Sequence, residues 1–270
     1  MLILWAFCDI IQEISKRVKT HLVALKGNDF MNTKFEKKAN VALSLCDNTG
    51  KLSIYNIFTL FMDIATEHAN ELKLSSDDLG DGLFWITVRT KVQILDRPKM
   101  NDEIKLTTWP EKPSRVRANR HYVISSGDTE LIKGKSEWTV VDTKTGKLCR
   151  VADLYPDGFE FSDDLAVEEK FSRISDDFSD AETLCEYTVR SIDIDLVQHM
   201  NNAAYIRTLM GAFSTKELMD NPIKEIEIAY KAQSYEGETL TIKCREVEGA
   251  VEYGMIKPDS TVAATIRIIK

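Results

Sequence analysis

Residues 193–202 read Asp193-Ile194-Asp195-Leu196-Val197-Gln198-His199-Met200-Asn201-Asn202, which places two carboxylates, one imidazole and three carboxamides in ten positions. An apolar, helix-like run from Ala203 to Phe213 follows at once. The N–H groups of a helix's first turn lack intrahelical partners and favour negative charge. A carboxylate, an imidazole and a set of oriented donors at such a junction suit acyl chemistry with a developing oxyanion. Asp195 is the candidate base or nucleophile and His199 the group that orients or protonates. Asn201 and Asn202 mark the oxyanion region. Taken singly, Asp195 and Asn201 read as helix caps, and His199 as a structural histidine; it is the constellation that points to chemistry. Asp193 reads as a turn or capping residue.

The elements around this segment occur twice. Ser53 to Leu72 carries Ile54, Ile57, Phe58, Phe61, Ile64 and Ala65 at helical spacing. After the turn Gly80-Asp81-Gly82, strand patterns run over Leu83 to Ile94, Glu103 to Trp109, His121 to Ser125 and Glu130 to Val141. Asp142 to Lys147 then reads as a hairpin turn. The second half repeats the order: a helix over Asn202 to Met219, then strands at Lys224 to Ala232, Glu238 to Glu246, Val251 to Ile256 and Thr261 to Ile269. Tyr122 precedes Asp128, and Tyr253 precedes Asp259, by the same interval, each pair ahead of a hairpin tip. Between the halves, 152–182 is rich in Asp and Glu and is expected to cross the surface as a solvated linker. A long helix buried on the concave side of a curved antiparallel sheet, twice over, satisfies both patterns.

Composition narrows the function classes. The chain has 270 residues, with 43 Asp+Glu against 35 Lys+Arg and a formal charge of −8. That balance argues against general nucleic-acid binding. Cys8, Cys46, Cys149, Cys185 and Cys244 are scattered, which fits reduced thiols in the cytoplasm. With four histidines and no clustered cysteines, no metal and no cofactor are expected. Met1 to Ile11 is apolar but too short for a membrane span, and its basic residues follow rather than precede it. Residues 1–30 are therefore taken as an N-terminal extension, with Met31 a possible start. Lys112, Arg115, Arg117 and Arg120 form the densest basic cluster, and alternation would put Arg115 and Arg117 on one strand face.

Asp195-x-x-x-His199-x-Asn201-Asn202-x-x-Tyr205, entering a buried helix, resembles the signature of hotdog-fold thioesterases. The duplicated layout is similar to the bacterial and plant acyl-acyl-carrier-protein (acyl-ACP) thioesterases, over roughly residues 35–270. Trp85 to Trp109 and Lys135-Ser136-Glu137-Trp138-Thr139-Val140-Val141-Asp142 in the first half look like that family too. Its motif is similar to Asp-x-Asn-x-His with a Glu on the strand after the helix. Here the Asp and His fall on Asp195 and His199, the Asn on Val197, the Glu on Gln233, and Ser234 stands where plant members carry a Cys. A valine side chain neither donates nor accepts, and Gln233 is no base at neutral pH.

The resemblance implies an α+β fold of two tandem hotdog repeats. It divides the chain into the extension 1–30, an N-terminal acyl-binding hotdog 31–151, an acidic linker 152–182 and a catalytic hotdog 183–270. It implies a fatty acyl-ACP thioesterase with Asp195, His199 and Gln233 catalytic and Asn201 and Asn202 supporting. Arg115, Arg117 and Arg120 are the candidate docking face for acidic carrier protein. No nucleic acid and no membrane span are implied, and the chain acts as a monomer or homodimer. Acyl-CoA hydrolysis, 3-hydroxyacyl dehydration and non-hydrolytic acyl binding are the competing functions.

Overall fold

The computed structural model describes residues 33–80, 82–156 and 158–270. The expected extension 1–30 and Met31 lie outside them. Chain order is β1 (Phe35–Asn40), α1 (Ile54–Glu71), β2 (Leu83–Ile94), β3 (Glu103–Pro110), β4 (Ala118–Ser126), β5 (Thr129–Asp142) and β6 (Lys147–Leu148). Then follow β7 (Glu182–Thr188), α2 (Asn202–Gly211), α3 (Thr215–Asp220), β8 (Glu225–Tyr230), β9 (Thr239–Val247), β10 (Ala250–Ile256) and β11 (Val262–Ile269). The described strands form one sheet in the order β1-β3-β4-β5-β2-β8-β11-β10-β9-β7, with β6 on β5. Counted inward from either rim, both halves follow the same path: β1-β3-β4-β5-β2 and β7-β9-β10-β11-β8. They meet where β2 and β8 pair antiparallel, from Arg89 opposite Ala229 to Gln93 opposite Glu225.

Alternation decides what each face carries. On β2, Thr90, Val92 and Ile94 are buried towards the helices, while Arg89, Lys91 and Gln93 point the other way. Both α1 and α2 pack into one core with the inner faces of both halves, including Ile57, Phe61, Ile64, Ile206, Leu209, Ile226 and Ile266. Helix α1 buries its predicted stripe from Ile57 to Ala65, with Ile54 half-buried, and ends where Lys73 takes a left-handed turn (φ 56°). Phe61 stacks on Tyr122 with ring centroids 4.4 Å apart. Its ring lies over Gly134, where a Cβ would stand 2.1 Å from Cε2. Only a residue without a side chain admits the helix this close.

Two expectations need correction. The helix expected over Asn202 to Met219 breaks after Gly211. Ser214 starts a separate short helix through a capping box, accepting from Glu217 N while its own N–H donates to the Glu217 carboxylate at 2.8 Å. The acidic segment 152–182 is seated on the sheet rather than solvated throughout. Val167, Ile174 and Phe178 are buried. Ala166 N donates to His121 Nδ1 (3.2 Å), Lys91 Nζ to Lys170 O (3.0 Å), Ser172 N to Glu227 Oε1 (2.7 Å) and Lys243 Nζ to Phe178 O (3.0 Å). The Arg245 guanidinium lies over the Phe178 ring at 4.4 Å. The segment thus runs across the outer face of both halves, above the buried Lys91–Glu227 pair (3.1 Å) at the β2–β8 seam. No described helix is long and apolar enough to cross a membrane.

Candidate active site

The loop before α2 is closed by an isolated bridge between Ile194 and Met200. Within it Asp195 N donates to His199 O (3.0 Å) and Gln198 N to Asp195 O (3.1 Å), with Gln198 left-handed at φ 66°. This tight turn brings the two ends of the five-residue motif to the same side. Asp195 Oδ2 stands 3.6 Å from His199 Nδ1, and both side chains are about one-fifth exposed, at 23% and 22%. Asp195 Oδ1 accepts from Val197 N at 3.0 Å. The side chains of Leu196 and Val197 point outward, so position 197 reaches the carboxylate through its amide.

Three ties fix the loop to the scaffold. Met200 N donates to Ser234 O (2.8 Å) and Asn201 N to Asp193 O (2.8 Å). Asp193 is buried and accepts from Tyr187 Oη (2.7 Å), Arg190 N (2.7 Å) and Arg207 Nη2. It holds the loop and does not face the reacting groups. Asn201 is the N-cap of α2, its Oδ1 accepting from Ala203 N at 2.8 Å. Asn202 is the first helical residue; its carbonyl accepts from Tyr230 Oη (3.2 Å). Among the described residues the Asn202 N–H has no hydrogen-bond partner, so it remains a donor at the positive end of the helix.

The structure therefore gathers Asp195, His199, Asn201 and Asn202 at one loop–helix junction. Gln233 is exposed, and its Oε1 accepts from Tyr235 Oη (2.8 Å), while its carbonyl accepts from Lys257 Nζ (2.7 Å). No hydrogen bond among the described residues joins its side chain to Asp195 or His199. Ser234 beside it is buried, and Tyr205 Oη donates to its Oγ at 3.0 Å. Burial pushes the Tyr205 phenol up, which keeps it a neutral donor. Tyr205 stood in the sequence motif. Lys257 and its ion pair with Glu238 (3.1 Å) carried no signal there, because they converge from the loops after β10 and before β9.

The basic cluster disperses. Arg115 and Arg117 lie in the loop between β3 and β4, not on a strand, and Arg117 Nη1 pairs with Glu137 at 3.1 Å. Arg120 faces inward, 8% exposed, and donates through Nη1 to His68 Nδ1 (2.9 Å) and Thr108 Oγ1 (3.2 Å). Two cavities lie on the inner side of the fold, one of them against the first turn of α2. A small one of about 10 Å³ touches Asn202, Ala203, Tyr230, Met62 and Trp138. A larger one of about 210 Å³ lies in the first half, shares Met62 and Trp138 with it, and reaches Arg120. No described cluster of three His, Cys, Asp or Glu could hold a metal ion.

Comparison with known proteins agrees with this architecture. The family described as acyl-ACP thioesterase N-terminal domain matches residues 32–159, and the acyl-ACP thioesterase C-terminal domain matches residues 177–264. Oleoyl-acyl carrier protein thioesterase 1 of Arabidopsis thaliana is 22% identical over 218 residues, 73% of this chain and 60% of that protein. The acyl-[acyl-carrier-protein] hydrolase FATB2 of Cuphea viscosissima is 25% identical over 196 residues, 67% of this chain and 47% of that protein. The chain spans about half the length of the curated relatives it matches. An acyl-ACP thioesterase from Bacteroides thetaiotaomicron superposes with a TM-score of 0.79 at 22% identity, covering 89% of this chain and 99% of that one. The 12:0-ACP thioesterase from Umbellularia californica gives 0.74 at 18%, covering 91% and 98%. At these identities the superpositions speak for the fold. With both domains of the family matched in order along one chain, this protein belongs to the acyl-ACP thioesterases.

Proposed function

We propose that this chain hydrolyses fatty acyl-ACP thioesters to free fatty acid and carrier thiol, ending acyl-chain growth. The single observation that carries this is the Asp195–His199 pair on the loop that enters α2, whose first residue, Asn202, has an open N–H and borders a small cavity lined from both halves. Asp195 takes a proton from water, and the resulting hydroxide attacks the thioester carbonyl. The oxyanion of the tetrahedral intermediate lies against the α2 N-terminus; one such donor is typically worth about 10²–10³ in rate. Collapse breaks the C–S bond, and the leaving thiolate receives the proton held by Asp195, directly or relayed through His199, which restores the carboxylate. At 3.6 Å the carboxylate and the imidazole are close enough for electrostatic coupling but beyond normal hydrogen-bond distance. Attack by Asp195 itself, through a mixed anhydride, uses the same groups. Asn201 fixes the helix start, and Gln233, just past the end of β8, is assigned the positioning of the water or of Asp195.

In this view 31–151 and 183–270 are tandem hotdog repeats, the first binding acyl chain and the second catalytic. The segment 152–182 joins them. The identical strand path of the two halves supports duplication. A second function, acyl binding without turnover, is favoured by one observation: Gln233 is turned to Tyr235, so no second carboxylate stands at the family's Glu position.

Thiol release from a panel of acyl-ACP and acyl-CoA substrates separates these. Hydrolysis predicts turnover that falls about 10²–10⁴-fold in Asp195→Asn. No turnover at any chain length leaves the binding protein, and full activity in Asp195→Asn removes Asp195 from the chemistry. Faster release from CoA than from carrier protein changes the substrate assignment.

A further inference from the structure

The cavity of about 210 Å³ in the first half has a predominantly apolar wall, with Met62, Trp85, Ala118, Trp138 and Tyr155 among its members. Arg120 also lines it, at 8% exposure. A guanidinium carries five N–H donors and stays charged at physiological pH. The two hydrogen bonds of Arg120 both use Nη1. Among the described residues it takes part in no ion pair, and burial pushes the nearby Tyr155 phenol up, so that group brings no negative charge either. Buried arginines are ordinarily matched by a carboxylate, because an uncompensated charge away from water is costly. Elsewhere in this fold buried charges are matched: Lys91 faces Glu227, and the buried Asp193 carboxylate is met by Arg207.

We infer that this cavity is a subsite for the distal end of an acyl chain bearing an oxygen acceptor, a carboxylate above all, with Arg120 as its specificity-determining residue. The inference rests on the thioesterase function only for the direction from which the chain enters. From the α2 N-terminus the route passes the small cavity at Asn202 and then the Met62–Trp138 wall common to both cavities. A cavity of 150 Å³ accommodates a six-carbon ring, so 210 Å³ takes about eight heavy atoms. A methyl-ended chain pushed against Arg120 would strip its donors of water and return no acceptor. An ω-carboxylate at the same depth accepts from Nη2 and Nε in the fork geometry that arginine favours. The carrier-docking role expected for Arg120 is replaced by this inward one.

The test is equilibrium binding of paired ligands of equal length, octanoyl to hexadecanoyl: the methyl ester of each fatty acid and the monomethyl ester of the matching α,ω-diacid. Esterification leaves the diacid ligand one carboxylate, at its far end, and the plain ester none. At the matching length the diacid ester is expected to bind at least about tenfold more tightly to the wild-type protein. The preference should vanish in Arg120→Met and survive in part in Arg120→Lys. Equal binding of the two ligands at every length overturns the inference without any variant. A preference that persists in Arg120→Met places the carboxylate elsewhere and also overturns it. Ala69→Phe, which fills the cavity and leaves the charge in place, should remove the preference too, so a misfolded Arg120→Met does not decide the matter. Binding is read without turnover. An Arg120-dependent preference with no thiol release therefore removes the hydrolase and keeps the subsite, and the converse result removes the subsite alone.

Discussion

The amide of Val197 donates to Asp195 Oδ1 at 3.0 Å, although the valine side chain points away from the site. A hydrogen bond to a carboxylate is worth about 1.5–3 kcal/mol. Val197→Pro deletes that donor and is expected to lower kcat about 10–10²-fold. Val197→Ala keeps the amide and should stay within about threefold of wild type. Steady-state thiol release compares them; equal rates would mean that the amide does not hold Asp195 for catalysis.

Asp193 sits two residues from Asp195 but belongs to the scaffold. Its carboxylate is buried under Tyr187, Arg190 N and Arg207. Asp193→Ala leaves the Tyr187 hydroxyl and the Arg190 amide without their acceptor. The expected loss is about 2–4 kcal/mol, discounted for the partial exposure of Arg207. Denaturant midpoints measure it, and a change below about 0.5 kcal/mol would contradict the scaffold role.

Glu111 supplies a pH dependence that can be separated from catalysis. Burial raises its carboxyl, but hydrogen bonds from His121 and Asn119 and the charge of Lys135 outweigh that and bring it down to about 2 from 4.5. A carboxyl depressed in the folded state stabilises fully above its unfolded value and loses that contribution as pH falls towards the folded one. Stability from this group should therefore decline between about pH 4.5 and about pH 2. Screening at this partly exposed site limits the effect to about 1–2 kcal/mol. Glu111→Gln should flatten the curve of melting temperature against pH in that window; an unchanged slope would sink the assignment.

Two glycines should respond in opposite directions. Gly134→Ala drives a Cβ into the Phe61 ring and should cost about 1–3 kcal/mol. Gly211, at the end of α2, meets nothing within 4 Å and has no left-handed φ. Gly211→Ala should therefore stabilise by about 0.5–1 kcal/mol. Thermal melts of the two variants settle the comparison, and a shared sign would contradict the packing account.

Much of the strand framework was legible because its signals are local. β2 falls on Leu83–Ile94 as its alternation predicts, and the Tyr122 and Tyr253 hairpins occupy matching places in the two halves. Of the site, the tight turn made Asp195 and His199 legible as a pair. The break after Gly211 was signalled by Ser214 and Glu217, yet the apolar run masked it. The surroundings of Arg120 and Gln233 were not legible for a different reason. Whether a strand residue faces the helices, or which neighbour a carboxamide finds, depends on partners far along the chain. Similarly, the Asp and Glu count of 152–182 hid Val167, Ile174 and Phe178, the few side chains that anchor it.

The β2–β8 seam has a bearing on polymerisation. By joining the two halves internally it uses up one edge from each, and leaves β1 and β7 as the rim of the sheet among the described strands. Those strands have 6 and 7 residues and carry Glu36, Lys37 and Lys38 on one and Glu182 and Glu186 on the other. Short, charged rims are poor templates for adding a further strand. The two halves, being on one chain, also meet at a local concentration set by the tether rather than by how much protein the cell makes. Sheet growth thus stops within the molecule, and the internal joint is unaffected by dilution.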